Sequence, residues 1–265
     1  MSTYFTTAIG SGNTNKYEND GANCLTLIGY HLIPASNAFA SIVMGKYNKT
    51  KKNSIFTIGN GNETTSNNAF SVDSTGNAYA KTHNSTTGAD YAEFFEWIDG
   101  NPLSEDRIGI IVTLRNKMIT PCGSNNVPLG IVSGTAAFTG DGAALDWKEK
   151  YLTDKFGRIL YEEVETFMEI PDEEGNMIQI SNGIEKQPII NPNYDSDKTY
   201  IPREERPEWA IVGLFGKIYT RDDGTCTPGC YGKPADGGIL THSDEPTQFY
   251  IMERTAEDVV LVFLK

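Results

Sequence analysis

The chain has 265 residues and a formal net charge of -13, from 35 acidic and 22 basic side chains. Its length allows a hydrophobic core, and its negative charge would repel phosphate backbones, so we expect no nucleic-acid partner. The sequence contains no run of about 18 apolar residues, and its N-terminus lacks the basic and apolar pattern of a secretory signal. We therefore expect no membrane insertion and a protein made in a cytoplasm.

The first 80 residues are rich in Gly, Asn, Ser and Thr and carry little net charge. They hold too little apolar material to bury a core alone, so they need either disorder or partner chains. An aliphatic residue or Met followed by Gly recurs at Ile9-Gly10, Ile28-Gly29, Met44-Gly45 and Ile58-Gly59. This repeat predicts one coil of a β-solenoid per pair, with the apolar residue pointing inward and Gly at a tight corner. The alternative is a flexible Gly/Asn-rich linker.

A β-hairpin is predicted at the end of this segment. AFSV and NAYAK alternate apolar and polar residues around the turn at 73–77. A hairpin with so small a core is marginal alone. A threefold assembly would cover its edges and its apolar face.

From about residue 89 the sequence has the character of a globular domain with many short strands. The strand candidates are RIGIIVTL (107–114), VPLGIVSG (127–134), MIQIS (177–181), WAIVGLFGKIYT (209–220), FYIMER (249–254) and VVLVFLK (259–265). Helical periodicity is scarce, and its best example is DWKEKYLTDKF at 146–156, followed by Gly157 as a stop. The Asp-Gly turn in DDGT predicts that the strand at 209–220 forms a hairpin-like core with a partner downstream.

These elements predict a β-rich α+β fold. A short trimeric β-solenoid or β-stalk is followed by a mixed, mainly antiparallel β domain.

The four cysteines at positions 24, 122, 226 and 230 are too few and too scattered for a disulfide scaffold, so we interpret them as thiols. Cys226, Cys230 and His242 would supply three of the four ligands of a zinc site, but their spacing is not a standard one. A Gly/Pro-rich turn explains DGTCTPGC equally well. We expect neither a metal nor a cofactor.

The junction at 83–101 carries the strongest chemical signal. Small flexible residues at 84–89 precede a cluster of carboxylates and aromatic rings, and apolar rings beside a carboxyl raise its pKa. If the segment is helical, Asp90 and Glu93 share a face; if it is extended, Asp90 and Glu96 share one and Glu93 points away. Either arrangement predicts a carboxyl pair that supplies an acid and a base, and in a trimer one member could come from a neighbouring chain.

The same pattern is also typical of the amphipathic first element of a domain. Other signs of catalysis are weak, because the sequence has no G-x-S-x-G, Walker-type loop, H-E-x-x-H or C-x-x-C and only three histidines. His83 directly precedes the junction and is as compatible with a solvent-exposed bystander as with a supporting role.

Several ordered motifs resemble a known family. They are NSTTGADYAEFFEWIDGNPLSEDRIGIIVTL, VPLGIVSG, WKEKYLTDKFGRILYEE, EWAIVGLFGKIYTRDDGTCTPGC and FYIMERTAEDVVLVFLK. Together they resemble the self-cleaving intramolecular-chaperone domain of phage neck-appendage and tail-spike proteins, a family classed among glutamic-type peptidases. The resemblance covers roughly residues 84–265.

The resemblance implies a homotrimer whose C-terminal domain holds three chains in register and then cuts each chain once. The family's acidic positions fall on Asp90 and Glu93, and the cut is expected at Asn84-Ser85. Ser85 could also attack the preceding carbonyl in an N-to-O acyl shift. Glu96 and His83 are supporting candidates.

The predicted domains are a trimeric stalk at 1–83 and the autoproteolytic chaperone domain at 84–265. The implied location is a virion tail assembled in the host cytoplasm, and a host cell-surface polymer is the expected partner of the upstream fibre. The family usually follows a long shaft, whereas about 80 residues precede the junction here. Alternatives are a non-cleaving trimeric receptor-binding tip, a bacterial surface adhesin and a metal-dependent hydrolase.

Overall fold

Strands make up nearly all regular structure in this protein, as its computed structural model shows. The structure describes residues 6–14, 25–34, 40–49, 53–86, 88–142, 149–171 and 177–265. The chain divides into two compact units, Met1–Asn84 and Ser85–Lys265. The described residues contain two helical segments, both short 3₁₀ turns, at Arg203–Glu205 and Asp236–Gly238. The predicted β-rich class is confirmed, with almost no helix.

The first unit is one six-stranded sheet in sequential order. Its strands are β1 (Thr6–Ser11), β2 (Leu25–Tyr30), β3 (Ile42–Lys46), β4 (Ser54–Asn60), β5 (Asn68–Asp73) and β6 (Ala78–Ala80). β1 to β4 are parallel, whereas β5 and β6 join antiparallel. Each predicted repeat therefore contributes one strand.

The repeat glycines form a column across the parallel strands. Gly10 pairs with Gly29, Gly29 with Gly45 and Gly45 with Gly59. A Cβ on Gly29 would lie 1.8 Å from the carbonyl oxygen of Gly45, and its φ of +143° is one that other residues rarely adopt. The glycines are thus required by close backbone approach.

The side chain before each glycine does not point inward, contrary to the prediction. The buried residues of the repeats stand one position earlier, at Leu27, Val43 and Thr57. Because side chains alternate along a strand, the residues next to glycine lie on the opposite face, where Ile9 is 59% and Ile58 36% exposed. Each repeat therefore contributes a strand, but the buried face of the sheet is opposite to the one that carries the residues before glycine.

The hairpin predicted around residues 73–77 is present. β5 pairs antiparallel with β6, and the Asp73 carboxylate accepts hydrogen bonds from the Thr75 hydroxyl and from the amides of Thr75 and Asn77. The Thr75 hydroxyl bond is the main cause that holds the Asp73 pKa well below its usual value.

In the second unit, five strands close into a barrel. They are β7 (Asp90–Trp97), β8 (Ile111–Arg115), β9 (Met118–Pro121), β10 (Gly130–Val132) and β14 (Trp209–Arg221). They follow the order β7-β9-β8-β10-β14, and β14 pairs again with β7. An apolar cluster draws on all five: Trp97, Val112, Ile119, Val132, Ala210 and Val212. Closure removes free edges along these strands.

A second apolar cluster packs the remaining strands of the same sheet onto the barrel strands. These strands are β15 (Tyr231–Pro234), β16 (Leu240–Ser243), β17 (Phe249–Ala256) and β18 (Val259–Leu264). The cluster includes Ile111, Ile131 and Ile218 from the barrel strands together with Phe249 and Val262. β11 (Phe138–Gly140) runs parallel to β7.

The remaining two strands form a separate ribbon. β12 (Tyr161–Pro171) and β13 (Met177–Pro188) pair only with each other among the described residues. The described side chains of β13 are exposed as far as Gln187. The strand predicted at 177–181 is thus part of a longer element.

The helix predicted at 146–156 is wrong for the residues that the structure describes, 149–156. Tyr151 and Thr153 instead make β-bridges to Ile190 and Ile159. The cluster of charges gave a helical pattern with no apolar face wide enough to anchor a helix. Gly157 has a φ of +79° and closes a tight turn with Asp154.

Each of the other strand candidates contains a strand. The candidates 107–114 and 127–134 are strand only at 111–114 and 130–132, whereas 209–220 is strand throughout. The partner of this strand is a downstream one, β18, from Gly216↔Leu264 to Arg221↔Val259. The segment directly after the Asp-Gly turn pairs with β16 and β17 instead. The Asp-Gly signal therefore marks a turn, although not a hairpin of β14 with its next neighbour.

A buried ion pair holds that turn. Asp222 accepts two hydrogen bonds from Arg254, at 2.9 and 2.8 Å, and a third from the Cys226 amide at 3.0 Å. Burial acts to raise the pKa of Asp222, but these hydrogen bonds outweigh it, so its pKa lies below the usual value.

We expect Asp222→Asn to lower the free energy of unfolding by about 2 kcal/mol at pH 7, because it removes the charge that Arg254 faces. Since the folded pKa of Asp222 is lowered, this contribution is present above the unfolded value of about 4 and is lost as pH falls below it. Urea unfolding at pH 7 and pH 3 measures both effects. Exposed Asp223→Asn is the matched control, and an equal loss in that variant would contradict the assignment.

Candidate functional site

The junction between the units is an exposed stretch of chain. His83, Asn84, Ser85 and Thr86 are exposed. The Ser85 hydroxyl oxygen accepts a hydrogen bond from the Gly88 amide at 3.1 Å, which closes a small turn. The Asn84-Ser85 bond is therefore accessible, and its serine oxygen is held by a backbone donor.

β7 begins immediately after this turn and separates the two carboxyls proposed from the sequence. Asp90, Ala92 and Phe94 are buried, whereas Tyr91 and Glu93 are exposed. Because alternate side chains of a strand point to opposite faces, Asp90 and Glu93 lie on different sides of the sheet.

The extended alternative does not provide a carboxyl pair either. Asp90 and Glu96 are an even number of positions apart, which places two residues on the same face of a regular strand. However, six residues of strand separate their backbones by roughly 20 Å. The prediction that one chain brings a coupled carboxyl pair together is therefore wrong. The segment is extended, and Glu93 points away from Asp90 as that alternative predicts, but the distance along the strand keeps Glu96 from pairing with Asp90.

Asp90 is a buried acid. The residue is 0% exposed, and neither carboxylate oxygen has a hydrogen-bond partner. Burial raises the pKa of Asp90, and the Ser133 hydroxyl, without reaching hydrogen-bond geometry, offsets part of this effect. A carboxyl in such surroundings holds its proton at a pH where an exposed aspartate is ionised.

Three glycines make room for the segment from residue 88 to residue 90. A Cβ on Gly88 would lie 2.0 Å from the Thr135 carbonyl oxygen, and one on Gly213 would lie 2.8 Å from Asp90 Oδ2. A Cβ on Gly216 would lie 2.5 Å from the Ala89 carbonyl oxygen. Each position lies against atoms that leave no space for a side chain, so the start of β7 is tightly enclosed.

The loop after β10 forms another wall of this enclosure. The Ala137 amide donates a hydrogen bond of 3.0 Å to the Asp90 carbonyl. Ser133, at the start of the loop, is buried, and its hydroxyl oxygen accepts the Thr135 amide at 3.1 Å.

Ser133 also lines a cavity of about 280 Å³ beside the barrel strands. Phe94, Trp97, Arg107, Trp209 and Ile211 are among its other lining residues. Phe94 shares the buried face of β7 with Asp90.

The supporting candidates lie apart from this enclosure. His83 is exposed in the junction, six or more residues before the buried face of β7 begins. Glu96 is half-buried opposite Trp209, near the other end of the strand. Neither is brought to Asp90 by the fold.

Cys226 and Cys230, which the sequence allows as zinc ligands or as part of a plain Gly/Pro-rich turn, lie among the described residues. Cys226 is buried, and burial, followed by the charge of Asp222, raises its pKa to about 12. Within the described residues no group of three or more His, Cys, Asp or Glu side chains could hold a metal ion. Cys122, Cys226 and Cys230 are free thiols, while Cys24 lies outside the described residues.

No described helix is long and apolar enough to span a membrane.

Fold and site together define a β-barrel domain with a buried acid directly after an exposed inter-unit junction. Comparison with known families agrees with this class: the pattern of Peptidase_G2, the IMC autoproteolytic cleavage domain, matches residues 40–258. The chain belongs to this family. The match begins within the first unit, well before residue 84, where the sequence resemblance was placed.

Two of the similar proteins are appendage proteins of Bacillus phages. The chain is 35% identical over 170 residues to the pre-neck appendage protein of Bacillus phage phi29, covering 64% of this chain and 17% of that protein. It is 36% identical over 173 residues to the pre-neck appendage protein of Bacillus phage B103, covering 63% of this chain and 18% of that protein. The chain thus spans about a sixth of the length of these relatives.

A solved structure shares the fold. The pre-mature bacteriophage phi29 gene product 12 superposes with a TM-score of 0.66 at 26% identity, covering 91% of this chain and 31% of that one.

Sequence reasoning missed Ser133 and the three glycines around Asp90. A signal for the glycines was present, since Gly213 and Gly216 interrupt a long apolar strand. Glycine inside a strand marks a bulge or the close approach of another backbone. Ser133 had no comparable signal.

The burial of Asp90 predicts a cost in stability. Because its folded pKa is raised, the wild-type chain should lose stability as pH rises from the unfolded pKa of about 4 to the folded pKa, by roughly 1.4 kcal/mol for each pH unit between these two values. Asp90→Asn removes this penalty, so the stability of the variant relative to wild type should increase as pH increases. Thermal unfolding between pH 4 and 8 measures the difference, with Glu93→Gln in both chains to keep them uncut. A difference that does not change with pH would contradict the buried-acid description.

Proposed function

We propose that residues 85–265 are a self-cleaving intramolecular chaperone that cuts the chain at Asn84-Ser85 after helping a trimeric phage appendage to assemble. The observation that carries the proposal is the exposed junction joined directly to a tightly enclosed, buried Asp90. Family membership supports self-cleavage, and the junction supports the position of the cut.

Cleavage of a peptide bond needs a base for the nucleophile and an acid for the leaving amine. Asp90 suits the acid, because burial raises its pKa and so keeps its proton available at higher pH. Glu93 is exposed on the other face of β7 and suits the base. Since one strand cannot place both at one bond, we propose that the two carboxyls at each cut come from neighbouring chains. This assignment makes the peptidase glutamic-type and couples cleavage to assembly.

Ser85 offers a route through an ester. Its Oγ attacks the Asn84 carbonyl carbon and gives its proton to the base, and the C–N bond breaks as the acid protonates the amine. Water then hydrolyses the ester between Asn84 and Ser85 Oγ, which leaves a carboxylate on Asn84 and a free hydroxyl on Ser85. The Gly88 amide, which already donates to Ser85 Oγ, favours negative charge on that oxygen.

The trimer is supported by an apolar face on the first unit. The described residues of this face include Ile9, Ile28, Ile42, Met44, Phe56 and Ile58, which are exposed or half-buried. Exposed apolar patches of this kind are typical of association sites. Three copies about a threefold axis would bury this face and fix the register of the parallel strands.

For the whole protein we propose a role as a phage neck appendage or tail spike. Assembly would take place in the host cytoplasm, and a host cell-surface polymer would bind the upstream fibre. The names of the relatives support this role.

We expect both Glu93→Gln and Asp90→Asn to remain near 29.1 kDa, the mass of the uncut chain, whereas wild type yields two fragments that divide at residue 84. Each change keeps the side-chain volume and removes a titratable proton. Intact-mass spectrometry of freshly made protein measures the cut, and Glu163→Gln on the exposed ribbon is the control. If both carboxyl variants cut normally and Ser85→Ala does not, the ester route stands and the carboxyl assignment fails.

A copy-mixing experiment tests the shared site. Chains with Asp90→Asn and chains with Glu93→Gln, each inactive alone, should regain partial cleavage when co-expressed, because a mixed trimer unites one intact acid with one intact base. Fragments should arise only in mixed samples. Absence of fragments in mixed trimers would mean that both groups act within one chain.

The apolar face predicts the effect of a charge on assembly. Met44→Glu should weaken the trimer by roughly tenfold or more, because a carboxylate would be buried between chains. Light scattering over a concentration series measures the molar mass. Ser66→Glu adds the same charge to an exposed loop and should leave the mass unchanged.

A further inference from the structure

We infer that Ser133 is a positioning residue for Asp90, and that the loop at 133–137 aligns the junction for cleavage. The inference rests on the proposed function, because it assigns a role in the same reaction. It adds a residue that lies more than 40 positions from the junction in sequence.

Ser133 makes a hydrogen bond that leaves its hydroxyl proton free to be donated. Its hydroxyl oxygen accepts the Thr135 amide, so that its own proton is left to be donated. Asp90 is buried beside it with two carboxylate oxygens that lack partners. The Ser133 hydroxyl offsets part of the rise in the Asp90 pKa, and its loop bonds the Asp90 carbonyl through the Ala137 amide.

The loop at 133–137 also contacts the backbone at Gly88 and at Asp90. Ala137 donates to the Asp90 carbonyl, and Thr135 presses against Gly88. The turn that contains Ser85 and Gly88 is therefore connected to Asp90 through one loop. A shift of this loop would move the cleavable bond and the acid together.

Ser133 lies closer to solvent-accessible space than Asp90 does. Asp90 is fully buried, but Ser133 also lines the 280 Å³ cavity. The hydroxyl thus lies between a buried acid and a space large enough for water. Such a hydroxyl can relay a proton to Asp90 after the acid has donated one, since it takes a proton from a water molecule in that space as it gives up its own.

The test is the pH dependence of self-cleavage in Ser133→Ala. The hydroxyl favours the ionised form of Asp90, so its removal should raise the apparent pKa of the cleavage profile by roughly one pH unit. The rate at the wild-type optimum should fall roughly tenfold. Rates are measured by intact mass from pH 5 to 9 on purified full-length chains.

Ser133→Thr keeps the hydroxyl and should restore the wild-type profile, whereas Ser133→Cys should give an intermediate change. The Thr and Cys variants decide the matter if Ser133→Ala does not fold. A profile that is unchanged or moved to lower pH in Ala and Cys would overturn this inference and leave the proposed function standing. Normal cleavage by Asp90→Asn would instead overturn the proposed function.

Discussion

The second unit depends on β14 lying between β7 on one edge and β10 and β18 on the other. This single strand closes the barrel and joins the two apolar clusters. Backbone approaches backbone closely at Gly216, where β14 passes the start of β7, and a Cβ on Gly213 would meet the side chains of Ile218 and Asp90. The register shift between Gly213 and Phe215 lies at the same point. Closure of the barrel and enclosure of Asp90 therefore have one cause.

That enclosure gives Asp90 and Glu93 of β7 different properties. Asp90 loses water and hydrogen-bond partners, which favours its protonated form, while Glu93 remains in contact with solvent. Residues three positions apart lie on one face of a helix but on opposite faces of a strand. In the proposed mechanism, which needs both groups at one bond, the second group would come from another chain, and cleavage would then depend on assembly.

The sequence predicted the strands well, because apolar runs with β-branched residues and glycine punctuation are local signals. It also located the junction, where composition changes abruptly. It was wrong on the side of the sheet in the first unit, since Ile9 and Leu27 are equally apolar and only the assembled ladder distinguishes the faces. It also gave a helix at 146–156, where charge spacing imitated periodicity. Ser133 could not be found, because its position near Asp90 depends on the fold and not on its neighbours in sequence.

The burial of Asp90 is costly for the folded chain, and the fold does not relieve the cost with a full hydrogen bond. Buried polar groups are otherwise almost always satisfied, as Asp222 is with Arg254 and Cys226. Both aspartates lie in one unit, and both are almost wholly buried. Three hydrogen bonds lower the pKa of Asp222 and stabilise a turn, whereas the Asp90 carboxyl lacks a hydrogen-bond partner and burial raises its pKa. The two aspartates therefore differ in hydrogen bonding and in the direction of their pKa shifts, although both are buried in the same unit.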